Sequence, residues 1–316
     1  MRQIMILLSF LTLSTYADFK SDLAKEYARG INSILFFTSE DIISSGHYTF
    51  DEFDGTLDSY FFPFKYPFKS DCDDYNYFIN GSVGFSDYRE GNVDFNRNST
   101  DAFYFRTYAL KLGGGTRFNT SENTHINLGA AYIYSRVIGS YSTANPLNTN
   151  NPNDKVIKDI LGSHQDHHTL ELSSAIKYDP IINNYQPYVK LGVRHFRTRV
   201  DDTYAIIPDI KSSISKLNVG VITPPVTEVF DLPLRLEPYA SLIYLIGDID
   251  NALDLDRFYV VGTKLLFGSY ALTCWVEDVT SLQRDSMDWV KELTFDMSFI
   301  KGDNFEGFNV GLGVKF

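Results

Sequence analysis

The sequence of 316 residues predicts an all-β fold, namely an antiparallel transmembrane β-barrel of about twelve strands. The first observation is that apolar and polar residues alternate along most of the chain, although the mean hydropathy is only −0.16. The second is that many alternating runs reach ten or more residues, the length that a tilted membrane strand needs. The third is that charged residues occupy the polar face in the middle of several runs, as a water-filled interior allows. A soluble sandwich also alternates, but its strands average about five or six residues.

The chain opens with a predicted export signal at residues 1–17. Arg2 supplies the positive charge, residues 4–13 form a short apolar core, and small residues precede Asp18. An apolar core of about ten residues is too short to span a bilayer as a helix, and no later stretch approaches ~20 apolar residues. We therefore expect a cleaved signal peptide, export, and a location in the outer membrane.

A predicted amphipathic helix follows at residues 18–37. Apolar residues recur at every fourth position from Phe19 to Leu35, and charged residues occupy the other faces. From about Tyr75 onward the period changes to two, which is the period of a strand. The predicted domains are the signal peptide at 1–17, the helix with an acidic linker at 18–56, and the barrel at 57–316.

Eleven alternating runs predict the strands of the barrel. They span residues 75–88, 103–118, 125–141, 168–178, 185–200, 214–223, 234–246, 257–267, 270–280, 289–300 and 306–316. The aromatic run at 60–68 is the candidate twelfth, because single-chain bacterial barrels have an even number of strands. Its two prolines, Pro63 and Pro67, suit an edge or a bulge.

The connection at 142–166 is the longest between the predicted strands and is rich in Asn, Pro and Asp. Because periplasmic turns are short, we expect this loop on the outer side of the membrane. Counting strands back from a periplasmic C-terminus places the loop on the opposite side. At least one predicted boundary between residues 201 and 288 is therefore wrong.

Strand parity predicts that one set of charged side chains faces the barrel interior. The set comprises Lys111, Glu171, Lys177, Lys190, Arg194, Lys216, Lys264, Glu292, Asp296 and Lys315. In one role these charges set the solute preference of a pore. In the other they pair with one another and with the polar face of the helix at 18–37, which is the role that we favour for a narrow barrel.

The C-terminal run places an apolar residue at every second position and ends on an aromatic one. These residues are Phe308, Val310, Leu312, Val314 and Phe316. The pattern resembles the closing strand of bacterial outer-membrane proteins. That resemblance implies that these residues form the signal read by the barrel-assembly machinery.

A second resemblance is to autotransporter translocator domains. The tripeptides Gln-Pro-Tyr at 186–188 and Glu-Pro-Tyr at 237–239 each open a predicted strand, and a helix precedes the barrel. The resemblance implies a barrel of about twelve strands with the helix at 18–37 inside its lumen. An autotransporter carries a large passenger before its barrel, whereas only about forty to fifty residues precede the first predicted strand. We therefore expect a solitary barrel without a passenger in the same chain.

Composition and motifs argue against several other functions. The net charge of −12 disfavours binding to nucleic-acid phosphates. The chain contains no G-x-S-x-G motif, and we expect neither an enzyme nor a bound cofactor. Cys72 and Cys274 are too few for a disulfide framework or a four-cysteine zinc site. We expect them to be unpaired, and the alternative is a single bridge between them in an oxidising compartment.

Two clusters of candidate metal ligands are better explained as polar loops, so we expect no metal site. The first combines three histidines with an aspartate: His164, Asp166, His167 and His168. The second is the acidic run at 248–256, which lacks the spacing of a calcium-binding EF-hand loop.

The predicted function is that of an integral outer-membrane β-barrel, which is either structural or a gated passage for small solutes. The alternative is a surface adhesin that binds an extracellular partner through the loop at 142–166. The expected partners are outer-membrane lipid and the barrel-assembly machinery.

Overall fold

The structure is a computed structural model in which most of the chain from residue 43 to residue 315 is described. The described residues are 43–50, 54–68, 74–93, 101–143, 147–148, 150–151, 154–155, 158, 164–201, 209–229, 232–268 and 292–315. The predicted signal peptide and the predicted helix at 18–37 therefore lie outside the described residues, as do Cys72 and Cys274.

The described residues form thirteen strands and one short helix. The strands are β1 (Ile43–Phe50), β2 (Gly55–Phe68), β3 (Tyr75–Val93), β4 (Asp101–Ser121), β5 (Thr124–Thr143), β6 (His164–Tyr178), β7 (Gln186–Asp201), β8 (Ile210–Ile222), β9 (Thr227–Val229), β10 (Leu232–Gly247), β11 (Arg257–Gly268), β12 (Glu292–Gly302) and β13 (Phe305–Lys315). The helix α1 (Asp248–Leu253) joins β10 to β11. No helix of this part of the chain is long and apolar enough to cross a bilayer.

The sheet closes on itself into a barrel. Every pairing is antiparallel, and β1 pairs both with β2 and with the last strand, β13. Twelve strands form the wall, because the short β9 pairs only with the start of β10. The closed antiparallel barrel of about twelve strands is thus confirmed. Closure gives each wall strand two hydrogen-bonded neighbours, as hydrocarbon requires of a sheet.

The connections alternate between two ends of the barrel. At the terminal end, β1 begins and β13 ends side by side, since Ile43 is the register partner of Leu312. At the opposite end, which we name the loop end, lie the connections β1–β2, β3–β4, β5–β6, β7–β8, β10–β11 and β12–β13. The connection between β5 and β6, which contains the predicted loop at 142–166, is therefore at the loop end.

Two corrections explain the inconsistent count of strands. The first wall strand is β1, which lies inside the segment 18–56 that was expected to be helix and linker. In addition, β11 pairs directly with β12, so no strand stands between them. The strand predicted at 270–280 lies outside the described residues. The aromatic run at 60–68 is confirmed as part of β2.

The outer face of the wall is apolar over a band of membrane thickness. Large apolar side chains point outward on every wall strand except β1, where Ile43 alone does, and Leu112 is the most exposed of those on β4 at 63%. On β3 the outward face runs from Tyr75 to Asp87, the first outward charge. At about 3.3 Å per residue and a tilt of about 45°, that span crosses about 28 Å, close to the ~25 Å apolar band of known barrels.

An arginine at Leu112 tests the depth of this band. Leu112 lies near the middle of the outward face of β4, so Leu112→Arg is expected to cost about 2–4 kcal/mol of unfolding free energy. Thr120→Arg, on the same face close to the terminal end, is expected to cost no more than about 1 kcal/mol. Denaturant unfolding in lipid vesicles measures both, and equal costs would contradict the membrane placement.

Candidate functional site in the barrel lumen

The polarity of both faces of the wall reverses toward the loop end. On β5, Leu128 faces out and Asn127 lines the lumen near the terminal end. Further along the same strand, Arg136 faces out, whereas Ile133 and Val137 face in and are each 1% exposed. The lumen therefore has two layers, an apolar one at the loop end and a polar one beneath it.

The apolar layer, which we name the seal, fills the lumen at the loop end. It comprises Tyr48, Phe50, Leu57, Tyr88, Phe103, Phe105, Ile133, Val137, Phe196, Ile210, Ile214, Ile243, Leu245, Ile249, Leu253, Leu255, Phe258, Ile300 and Phe305. Phe305 connects three other rings, with centroid distances of 5.7 Å to Tyr48, 4.8 Å to Phe50 and 5.5 Å to Phe258. Buried polar side chains lie among these residues, including Glu90, His167 and Thr198. The packed rings narrow the lumen at the loop end.

The helix α1 completes the seal from a connection rather than from the wall. Ile249, Leu253 and Leu255 are all buried against the wall strands. Gly247 has a φ of 94°, and a Cβ there would lie 2.6 Å from the carbonyl oxygen of Lys211. Only glycine tolerates both the positive φ and the close carbonyl oxygen. Gly247 therefore allows the chain to leave β10 and turn inward over the lumen.

Below the seal lies a cavity of about 260 Å³ whose described lining is rich in cations. The charged residues of the lining are Lys65, Lys111, Lys190, Arg194, Lys216, Lys264, Glu171 and Asp296. Six of these eight side chains are cationic. Seven of the ten predicted lumenal charges are thus brought to one cavity, although their role stays a prediction: Lys111, Glu171, Lys190, Arg194, Lys216, Lys264 and Asp296.

The carboxylates around this cavity each have a donor on the wall. Lys111 Nζ lies 2.6 Å from Glu171 Oε2, and their side chains are only 5% and 3% exposed. Tyr239 donates a hydrogen bond to Asp296, with an oxygen–oxygen distance of 3.0 Å. With six cations against two carboxylates, the described lining has a formal excess of positive charge.

The acid next to this lining, Glu237, is satisfied in the same way. It accepts one hydrogen bond from Tyr188 at 2.7 Å and one from Lys264 at 3.1 Å. The amine of Lys264 also stands 5.0 Å from the ring centroid of Tyr239, so the pairs form one continuous network across β7, β10 and β11.

Two of the other three predicted lumenal charges lie nearer the terminal end, and the side chain of the third, Lys315, lies outside the described residues. Lys177 donates to Asp179 at 2.8 Å, and its amine is 5.2 Å from the ring centroid of Tyr188. Glu292 accepts a hydrogen bond from Arg235. Both side chains therefore have partners outside the cavity.

The predicted assembly signal lies on the outer face of β13. Phe308, Val310 and Leu312 are exposed toward the lipid side, while the side chains of Val314 and Phe316 lie outside the described residues. This placement leaves the proposed recognition by the assembly machinery a prediction.

The histidine-rich run at the start of β6 is divided between the two faces of the wall. His167 is fully buried inside, whereas Asp166 and His168 face outward, where Asp166 pairs with Arg136. Among the described residues no three His, Cys, Asp or Glu side chains converge as metal ligands. His195, at another strand, faces outward and contacts Ser213.

Comparisons with known proteins point to one fold. No protein-family model and no curated protein matches the sequence. Among solved structures, the translocator domain of the autotransporter NalP from Neisseria meningitidis matches at 11% identity and a TM-score of 0.54, covering 96% of this chain and 99% of that one. The transport unit of AIDA-I from Escherichia coli matches at 8% identity and a TM-score of 0.55, covering 92% and 99%.

A third match is the β-domain of the Bordetella autotransporter BrkA, at 9% identity and a TM-score of 0.52, covering 87% of this chain and 97% of that one. Identities this low show a shared fold rather than a shared activity. The apolar outer band and the closed wall independently indicate a membrane barrel. The chain is therefore an outer-membrane β-barrel with the fold of autotransporter translocator domains.

Proposed function

We propose that this barrel is a gated passage for small anionic solutes and that the described form is closed. The observation that carries the proposal is the cavity beneath the seal, where six cationic side chains and two carboxylates form the charged lining. Charges of one sign in a narrow, low-dielectric lumen raise the local concentration of the opposite ion.

The seal is the gate in this proposal, because an apolar constriction stops ions by excluding water. Most of the seal belongs to wall strands, whose movement would break the hydrogen-bond ladder. The helix α1 is different, since it contributes Ile249 and Leu253 from a connection outside the ladder. Displacement of α1 would open the loop end at a lower free-energy cost than a change in the wall, because it breaks no hydrogen bonds between wall strands.

The predicted helix at 18–37 belongs to the same proposal. Its acidic residues, Asp22 and Glu26, would face the cationic lining if the segment enters the lumen, and it would then act as a second plug. Deleting 18–37 in addition to opening the seal is expected to raise conductance further.

Conductance in planar bilayers tests the gate and its selectivity. The wild-type barrel is expected to be nearly silent, and the open variant Ile249→Ser/Leu253→Ser/Leu255→Ser is expected to conduct about tenfold more, because hydroxyl groups allow water into the seal. In a salt gradient its reversal potential is expected to show anion preference. Adding Lys190→Gln and Lys216→Gln is expected to reduce that preference.

Two results would contradict this function. An open variant that assembles but stays silent would make the barrel structural. Cation preference in the open variant would exclude the anionic solutes. As the matched control, Lys301→Gln removes a cation from the outer face at the loop end and is expected to leave selectivity unchanged.

The second candidate function is binding of an extracellular partner through the connection at 142–166. Its support is that this connection leaves from the loop end, where the outer face of β5 and β6 is polar and ion-paired. Replacing residues 147–158 with a short linker separates the two functions, since it would abolish adhesion while conductance stays unchanged.

A further inference from the structure

Outward charges are distributed unequally between the two ends of the wall. At the loop end the outward cations are Arg89, Arg106, Arg136, Arg197, Arg199, Lys211, Arg257 and Lys301. Toward the terminal end, the outward positions of the described wall strands carry only apolar, aromatic and small polar side chains. The outer face is therefore adapted to one charged leaflet, and that leaflet is at the loop end.

Within this rim, three cations face an acid on a neighbouring strand. Arg106 lies 3.3 Å from Asp87, which Arg89 also approaches at 3.6 Å, and Lys301 lies 2.7 Å from Glu306. Arg136 makes two hydrogen bonds to Asp166, at 2.7 and 2.8 Å. Such pairs neutralise the cation locally, so these positions need no further anion.

The register is different between β7 and β8, where Arg197 and Lys211 are direct cross-strand partners. Like charges placed opposite each other destabilise a sheet. Arg199, two residues along on the same face, adds a third cation and has a side chain that is 77% exposed. We name Arg197, Arg199 and Lys211 the cationic cluster.

Among the described residues, a single carboxylate forms ion pairs with the cluster. Asp209 is shared by two arginines, at 3.2 Å from Arg197 and 3.9 Å from Arg199. Asp201 contacts His168 at 3.3 Å, and Asp248 accepts its hydrogen bond from the backbone N–H of Lys211. The fold therefore maintains a local repulsion that an external anion would relieve.

The depth of the cationic cluster relative to the apolar band indicates the chemical class of the external anion. On β7 the outward residues are apolar through Val193 and then become His195 and Arg197. On β8, Leu217 is the last apolar outward residue before Lys211 is reached. The cluster thus begins where the apolar band ends, at the depth of lipid headgroups. Guanidinium groups match phosphate oxygens in a bidentate geometry.

We propose that the cationic cluster binds the phosphate of an anionic lipid headgroup in the leaflet at the loop end. The lipid would bridge β7 and β8 and replace the repulsion between Arg197 and Lys211 with charge-assisted hydrogen bonds. This inference does not depend on the passage of solutes through the lumen.

Native mass spectrometry of the full chain in detergent, with phosphatidic acid or phosphatidylcholine added, tests the proposal. The wild-type protein is expected to retain phosphatidic acid in preference to phosphatidylcholine. Arg197→Gln/Arg199→Gln is expected to weaken that retention about tenfold, because two charge-assisted contacts are lost. Heat-modifiable gel migration checks that each variant is folded.

The matched control is Arg136→Gln/Lys301→Gln, which removes two rim cations that each have a carboxylate of their own. It is expected to keep the wild-type retention. Equal loss in both double variants would show a general electrostatic effect and overturn the site. Displacement of the lipid by inorganic phosphate at similar concentration would show a simple anion site and would overturn the lipid assignment.

Discussion

Lys111→Met is expected to lower the free energy of unfolding by about 3–5 kcal/mol. Lys111 and Glu171 form a buried ion pair between β4 and β6, directly beneath the seal, with a nitrogen–oxygen distance of 2.6 Å. Removing the amine leaves the Glu171 carboxylate buried beside an apolar side chain. Equilibrium denaturation of the barrel in detergent or vesicles measures the loss.

The double variant Lys111→Met/Glu171→Met distinguishes two free energies: the cost of leaving one buried charge without a partner, and the net contribution of the ion pair to stability. Replacing both members of a buried pair with apolar residues is often neutral or stabilising, so the double variant is expected to recover most of the loss. Lys216→Met removes another cation of the same cavity and is expected to cost less than about 1 kcal/mol. If all three variants had the same stability, the Lys111–Glu171 ion pair would contribute no more to stability than another cation of the cavity.

Much of the wall was predictable from the sequence because the membrane imposes one rule on most strands. Where lipid covers the outside, the outward residue must be apolar and the inward one is free to be polar, as with Val193 and Arg194 on β7. The inward placement of Lys190, Lys216 and Asp296 follows from the same rule.

The first strand was missed because it does not obey that rule. The outward residues of β1 after Ile43 are Ser45, His47 and Thr49, and the inward ones include Tyr48 and Phe50, which belong to the seal. His47 is stabilised instead by Asp58 on β2, at 2.7 Å. A strand that is polar outside and aromatic inside does not show the membrane pattern, and only its pairing with β2 and β13 identifies it.

The seal was missed for a related reason. The alternation rule assumes that the outward residues are apolar along the whole length of each strand. This assumption fails for β5, which continues past the membrane band. Its sequence does carry the signal, because the apolar residues move from the positions of Leu128 and Tyr132 to those of Ile133 and Val137. Beyond the rim water covers the outside, so burial requires the inside to be apolar.

Phe196→Ala, in the middle of the seal, is expected to cost about 3–5 kcal/mol of unfolding free energy. Phe196 is fully buried on the inward face of β7, and truncation leaves a cavity among well-packed neighbours. The inward cross-strand partners of Phe196 are Glu171 and Ser212, so the hole is partly polar. The rest of the seal, including the residues contributed by α1, still covers the loop end, so ion passage is expected to remain blocked. Denaturation and bilayer conductance on the same preparation measure the two effects.

The open variant on α1 is expected to give the opposite result. It changes Ile249, Leu253 and Leu255, which lie outside the strand ladder, so the wall keeps its hydrogen bonds while water enters the seal. The side chains of the wall would then determine the stability of the barrel, and the helix α1 would determine whether ions can pass. If Phe196→Ala conducted as strongly as the open variant, the seal would be a single packed plug and α1 would have no role of its own as a gate.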